Sequence, residues 1–289
     1  MSSVRAECVA PAGCGRHRHV MVASTFDTVA FPFMLGSEGG YDADPRDRGN
    51  WTSGIIGQGE LKGTKFGIAS HVYPTLDIKN LTVEQAREIY KRDYAAKVAY
   101  DQMPPGVDVS VYDMGVNAGP SRSLALLKSA LGSNVSTPIA LSMVASATPD
   151  KIAVIKKFAA KRLAFYQALG TFKTYGRGWT RRAAECEAIS VKTWLTYGAQ
   201  KPQAEIKKQL EAESKSASKA STGHATAGTT AGGAETANAS QHAWNLDWVT
   251  FWHVALIAVV VGVVAYFIWK SLSHRDRANA YADAAKSTF

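Results

Sequence analysis

The sequence is poor in cysteine and lacks any apolar stretch at its start. Three cysteines in 289 residues, Cys8, Cys14 and Cys186, are too few and too scattered for a disulfide framework. Cys8 and Cys14 lie near His17 and His19, but neither C-x-x-C nor regular histidine spacing is present. No metal or cofactor is expected. Residues 1 to about 20 are polar, with Arg5, Arg16 and Arg18, and do not read as a secretory signal peptide. Residues 1–21 therefore read as a disordered extension, with Met21 as a candidate natural start. No segment alternates strongly enough to demand a large sheet. Acidic residues are also in deficit. With 33 Lys and Arg against 24 Asp and Glu, the net charge is +9, which favours polyanionic partners. Nucleic acid, anionic lipid and bacterial cell wall all meet that description. The basic residues are dispersed and no nucleic-acid-binding motif is present, so nucleic acid ranks last.

What is present is mostly helical periodicity. Phe26, Val29, Ala30, Phe33 and Met34 recur at helical spacing up to Gly36. Thr82-Val83-Glu84-Gln85 has the form of a capping box, and Ala86, Ile89, Tyr90, Tyr94 and Val98 then share one face. Leu124, Leu127 and Leu131 mark another helix, stopped by Gly132. A further one starts near Asp150, with Ile152, Ile155, Phe158 and Tyr166 inward and Lys156, Lys157, Lys161 and Arg162 as a solvated side. The last carries Trp179, Ala183, Cys186, Ile189 and Trp194. A small hairpin is expected in the Gly-rich stretch before Thr82.

Beyond Pro202 the composition shifts. Lys/Glu/Ala-rich residues at first prolong a helix. Ser221 to Ser240 are almost all Ala, Thr, Gly and Ser, which cannot bury a core, so 201–246 reads as a flexible linker. Trp248 to Trp269 form an apolar run free of Asp, Glu, Lys and Arg, with aromatic residues crowding its ends. At 1.5 Å per residue it can cross a hydrocarbon core of roughly 30 Å, so 247–270 reads as one transmembrane helix. Lys270, Arg275 and Arg277 follow it, which by the positive-inside rule puts the tail, 271–289, in the cytoplasm and the soluble part outside.

The chemistry centres on Glu38-Gly39-Gly40-Tyr41. A carboxylate ending an apolar helix and followed by two glycines is placed where chain meets cleft. Burial against Phe33, Met34 or Tyr41 would raise its pKa and keep it protonated as a general acid. The spacing from Glu38 to Asp47 lets a second carboxylate face the first across a glycosidic bond. A Glu before Gly-Gly is also an ordinary turn or capping acid. Trp179 and Trp194 could stack on sugar or fill a core, and Asn117 could bind an acetamido group or cap the helix entered at Pro120.

Glu38-Gly39-Gly40-Tyr41, then Asp44-Pro45, then Gly63-Thr64-Lys65-Phe66-Gly67-Ile68, resembles glycoside hydrolase family 108, the bacterial and phage muramidases with an E-G-G-Y motif. Asp113-Met114-Gly115-Val116-Asn117-Ala118-Gly119 is similar to that family's D-x-x-V-N-x-G segment. Gly178-Trp179-Thr180-Arg181-Arg182 is similar to the G-W-x-x-R motif of the peptidoglycan-binding domain that usually follows.

The resemblance covers about Thr25 to Tyr197. It implies a mainly α, lysozyme-like catalytic domain over 22–112 and a helical wall-binding domain over 113–200. It implies Glu38 as catalytic acid, with Tyr41, Asp44, Asn117, Trp179 and Arg181 on the glycan. Similarity to the Glu/Asp/Thr set of tailed-phage lysozymes implies Asp47 as partner carboxylate and Thr64 as the group positioning water. Asn50 to Lys62 looks like an insertion between them and leaves Asp42 or Asp44, and Thr52, as substitutes. The implied reaction is cleavage of the β-1,4 bond between N-acetylmuramic acid and N-acetylglucosamine. Lytic transglycosylation and non-catalytic wall tethering are the competing readings. The whole chain reads as an endolysin anchored in the bacterial inner membrane, its soluble part periplasmic, with a holin as candidate partner in export.

Overall fold

In the computed structural model the described residues are 24–36, 38–232 and 248–287, with the backbone alone over 223–232 and 248–258 and at 260. The N-terminal extension expected at 1–21 lies outside them. So do residues 233–247, the later part of the expected linker.

A π-helical turn, Phe26–Ala30, leads into α1 (Phe31–Leu35), where Pro32 sits in the first turn. A turn-rich segment follows, holding the expected hairpin β1 (Thr64–Lys65) and β2 (Ile68–Ala69), antiparallel with Thr64 opposite Ala69 and Lys65 opposite Ile68. Helix α2 (Val83–Tyr90) opens with the capping box read from the sequence. Thr82 Oγ1 accepts from Gln85 N at 3.2 Å, and Gln85 Oε1 accepts from Thr82 N at 2.9 Å.

Helix α3 (Val107–Ala118) runs through the middle. Nine consecutive residues, Val107 to Gly115, are buried, so nearly its whole circumference is covered, with α4, α6 and α7 packed on it. Around it stand α4 (Pro120–Leu131), stopped by Gly132 at φ +62°, and α5 (Pro138–Ala147). The long α6 (Lys151–Gln167), capped by Asp150, and α7 (Phe172–Thr193) complete this body. Phe26, Tyr100 and Tyr112 meet edge to face, with centroids 5.3–5.8 Å apart.

Four expectations are corrected here. The boundary between a domain at 22–112 and another at 113–200 falls inside α3. Its residues join Phe26 and Met34 on one side to Ile155 and Val191 on the other in one apolar cluster, so the two units share a core. Arg162 does not lie on a solvated face. It is 1% exposed, because a buried carboxylate on α3 draws it inward.

The linker expected at 201–246 is a helix as far as it is described, α8 (Gln203–Gly232), with Ile206, Leu210 and Ala217 buried. The sequence signal misled because Ala, Ser and Thr, too small to build a core, are small enough to let a second helix approach closely. That partner is α9 (Trp248–Lys286). Its last turns, expected as a separate tail at 271–289, are built into the body. Buried Glu187 of α7 accepts from Arg277 Nη2 at 2.6 Å and from Tyr281 OH at 2.8 Å, and Tyr281 is fully buried. Lys192 Nζ donates to Ser287 O at 2.5 Å.

Among the described residues no helix is long and apolar enough to cross a membrane. The first half of α9 carries the apolar run 248–269, whose side chains are described only at Val259 and from Val261 onward.

Candidate active site

Glu38 sits just past the end of α1, its N–H bonded to Leu35 O at 3.0 Å, and its side chain is half-buried. The turn of the β1–β2 hairpin comes up against it. Phe66 and Gly67 form the two-residue loop with φ of +53° and +73°, a doubly left-handed turn that suits the twist of a hairpin. Phe66 pays a conformational cost there. Two hydrogen bonds hold the loop: Phe66 N donates to Gly39 O at 3.3 Å, and Tyr90 OH donates to Phe66 O at 2.9 Å. A β-carbon on Gly67 would stand 2.7 Å from Glu38 Oε2 and 2.5 Å from the Tyr90 hydroxyl. Glycine is therefore required twice at this position, for backbone sign and for space.

Burial and two charged groups bear on the protonation of Glu38. Burial pushes its pKa above the ordinary carboxylate value, the positive charge of Arg182 opposes this, and the Asp113 carboxylate adds to it. Tyr90 and Tyr94 face the same carboxylate, and both phenols are pushed up, first by burial.

Asp113 and Arg182 belong to a buried cluster beneath. Asp113 Oδ2 lies 2.7 Å from Arg162 Nη1, and Asp113 Oδ1 accepts from Arg182 Nη2 at 2.8 Å. Burial alone would raise the pKa of Asp113, but the two guanidinium charges outweigh it and hold the carboxyl below its usual range. Arg162 Nε donates to Tyr166 OH at 2.8 Å, and Tyr166 OH donates to Asn117 Oδ1 at 2.8 Å. The D-x-x-V-N-x-G and G-W-x-x-R segments thus meet through Asp113 and Arg182, linking α3, α6 and α7.

Across the hairpin, Asn50 is fully buried and acts as a hub. Its Nδ2 donates to Asp42 Oδ2 and to Asp44 O, both at 3.1 Å, and its Oδ1 accepts from Thr64 Oγ1 at 2.7 Å. Asp42 and Thr64 also exchange backbone hydrogen bonds of 2.9 and 2.8 Å, so these two side groups share one stretch of wall. Asp47 is engaged as the cap of the short turn Arg48–Asn50, its Oδ1 accepting from Gly49 N at 2.8 Å. Asp44 chelates Arg46, whose hydrogen bonds bring its pKa down to about 2. The residues expected as an insertion contribute the hub itself and the bridge from Trp51 to Leu61.

Of the expected glycan-binding residues, Tyr41 is 41% exposed and lies over Gly63. Asn117 is exposed and accepts from Tyr166 OH at 2.8 Å. Trp179 packs among Tyr166, Tyr175 and Phe172, with centroids 5.2, 5.7 and 6.5 Å away, and Trp194 packs against the core cluster. Arg181 pairs with Glu185 at 3.2 Å and lines a cavity of about 550 Å³ between α7 and α9, whose walls do not include Glu38.

Sequence reasoning did not pick out Asn50, Tyr90 or Arg162. Arg182 and Gly67 lay inside quoted motifs, where a charged residue and a glycine invited the question of what they approach. Among the described residues no cluster of three or more His, Cys, Asp or Glu could hold a metal.

No curated protein matches the sequence. The chain is similar to a solved structure titled "Structure of Brucella abortus SagA", with 28% identity, 58% of this chain and 95% of that one covered, and a TM-score of 0.48. The family model for glycosyl hydrolase 108 matches residues 31–119, a span that holds Glu38, the hairpin, α2 and α3.

Proposed function

We propose that the protein is a peptidoglycan hydrolase of muramidase type, cleaving the β-1,4 bond between N-acetylmuramic acid and N-acetylglucosamine, with Glu38 as general acid. The observation that carries this reading is a half-buried carboxyl with a raised pKa, set against a glycine turn in a glycosyl hydrolase 108 segment. A carboxyl that burial biases toward its protonated form can give its proton to the glycosidic oxygen as the C1–O bond breaks. The oxocarbenium-like sugar then needs a negative charge or an activated water on its other side.

For that second role the surroundings favour Asp42 over Asp47, since Asp42 shares Asn50 with the Thr64 hydroxyl while Asp47 is engaged in capping a turn. Thr64, whose hydroxyl proton goes to Asn50, keeps its oxygen lone pairs to orient water. Tyr41 and Asp44 flank the same wall and would meet the glycan. In this reading the apolar run 248–269 anchors the enzyme in the bacterial inner membrane with its glycosidase segment on the periplasmic side, and a holin serves its export.

The test is digestion of purified Gram-negative peptidoglycan by the full chain, with product masses read beside those from Glu38→Gln. Reducing muramic-acid ends, absent with the variant, are the expected result. Anhydro ends would make it a lytic transglycosylase. Binding without cleavage would leave a wall-binding tether.

A further inference from the structure

Helix α7 and the end of α9 lie side by side, tied by Glu187 to Arg277 and Tyr281 and by Lys192 to Ser287, and the cavity of about 550 Å³ opens between them. That volume lies within the roughly 300–1,000 Å³ of small-molecule sites. Phe33 of α1, Ile189 of α7, and Ala280 and Ala284 of α9 supply its apolar lining. Three carboxylates, those of Glu185, Asp276 and Asp283, share the walls with the cations Arg181 and Lys192. Lys192 is engaged, since its ammonium donates to Ser287 O and Oγ at 2.5 and 2.9 Å.

Asp276 is the group that this packing leaves unanswered. It is half-buried, and among the described residues its carboxylate makes no hydrogen bond and no ion pair. Burial pushes its pKa up, while Arg177, Arg181 and Arg275 pull it down from beyond ion-pair distance. Arg181 pairs with Glu185 at 3.2 Å through side chains 74% and 43% exposed, and an exposed pair of this kind contributes little and exchanges readily. The lining thus offers a carboxylate to a cation, a guanidinium to an anion, and apolar surface beside both. A polyanion would meet three carboxylates here. A ligand with an ammonium and a carboxylate on one aliphatic chain finds a partner for each charge.

We propose that this cavity binds the peptide stem of peptidoglycan at a diamino-acid residue, whose free ammonium pairs with Asp276 and whose carboxylate pairs with Arg181. The inference rests on the muramidase reading above and names a second part of that substrate. Phe33 lines the cavity and stands five residues before Glu38, a length of chain that spans at most roughly 18 Å. A stem of about four residues, attached to the muramic acid beside the bond being cut, extends over a comparable distance. The cavity is therefore within reach of the strand held at Glu38. Two consequences follow for function: strands that still carry their peptides are cut in preference to bare glycan, and Arg181, expected on the glycan, acts on the peptide.

The probe is the stem tetrapeptide N-acetyl-L-alanyl-γ-D-glutamyl-meso-diaminopimelyl-D-alanine, titrated calorimetrically into the full chain beside the same peptide acetylated on its diaminopimelyl amine. The parent should bind the first peptide about tenfold more tightly than the second, the scale of one hydrogen bond between charged groups. Asp276→Asn should lose that preference, and Arg181→Gln should weaken both peptides alike. Absence of binding by the parent overturns the proposal. So does binding indifferent to acetylation of the amine, a result that needs no variant. A preference retained by Asp276→Asn, in a chain whose thermal melt matches the parent, overturns it too. Cleavage is followed in parallel on intact peptidoglycan and on glycan stripped of its peptides by an amidase, and Asp276→Asn should be slower on the intact polymer alone. Equal slowing on both polymers counts against the peptide as occupant. Amine-dependent peptide binding by a parent that cleaves neither polymer keeps the peptide site and removes the muramidase reading.

Discussion

Between Gly39 and Asn80 the chain buries only two large apolar side chains, Ile68 and Ile78, whereas α3 alone buries Val107, Val109, Val111, Tyr112 and Met114. The first region is held by left-handed glycines, by the Asn50 hub and by single hydrogen bonds such as Tyr90 to Phe66. The second is held by packing around one ion cluster. Packing tolerates volume-conserving change, while a turn held by two hydrogen bonds against a carboxylate tolerates almost none. Glu38, the proposed acid, stands at the seam. Its position comes from the turn-rich wall and its charge environment from the helical body.

The largest effect should follow from cutting the body at its ion cluster. In Asp113→Asn, two guanidinium groups lose the carboxylate they surround, one of them fully buried. Breaking a buried pair typically costs about 3–5 kcal/mol, and urea unfolding should show a loss of that order. Retained stability with lost cleavage would mean that Asp113 serves the site and not the body, and the contrast between the regions would fail. Gly67→Ala should do the reverse. A β-carbon there strikes Glu38 and Tyr90 and requires a φ that costs roughly 1–3 kcal/mol for a non-glycine residue. The fold should survive while peptidoglycan cleavage falls by about tenfold or more, since small misplacements of a catalytic group are costly.

The same contrast explains what could be read from the chain alone. Helices α2, α4 and α6 were legible because capping boxes, glycine stops and apolar spacing are local signals, and the residues that obey them are adjacent in sequence. Glu38 stood out as a candidate because the E-G-G-Y context is short. Asn50 was not, since nothing local distinguishes a hub from any turn asparagine. Its partners, Asp42, Asp44 and Thr64, are gathered by folding across 8, 6 and 14 positions. Arg162 was misread for a related reason: periodicity assigns a charged residue outward, and only the carboxylate 49 residues earlier reverses that. The later part of helix α8 and the docked end of α9 were missed because small residues carry no hydrophobic signal of their own. They pack only where a partner helix presents itself.

The finest discrimination concerns Arg182, which belongs to the body by its bond to Asp113 and to the site by its charge. If Glu38 is the acid, cleavage requires its protonated form and fails as pH rises through its pKa. Arg182 stabilises the carboxylate form and so lowers that pKa against the upward push of burial. Arg182→Gln removes the opposing charge, so the alkaline limb of the rate profile should move to higher pH. Arg182→Lys, which keeps the charge but not the fork to Asp113, should leave the limb nearer to that of the parent while losing part of the stability. A merely structural arginine would lower stability in both variants and move the limb in neither. That outcome would confine the influence of the body to holding the wall in place, with burial alone setting the protonation of Glu38.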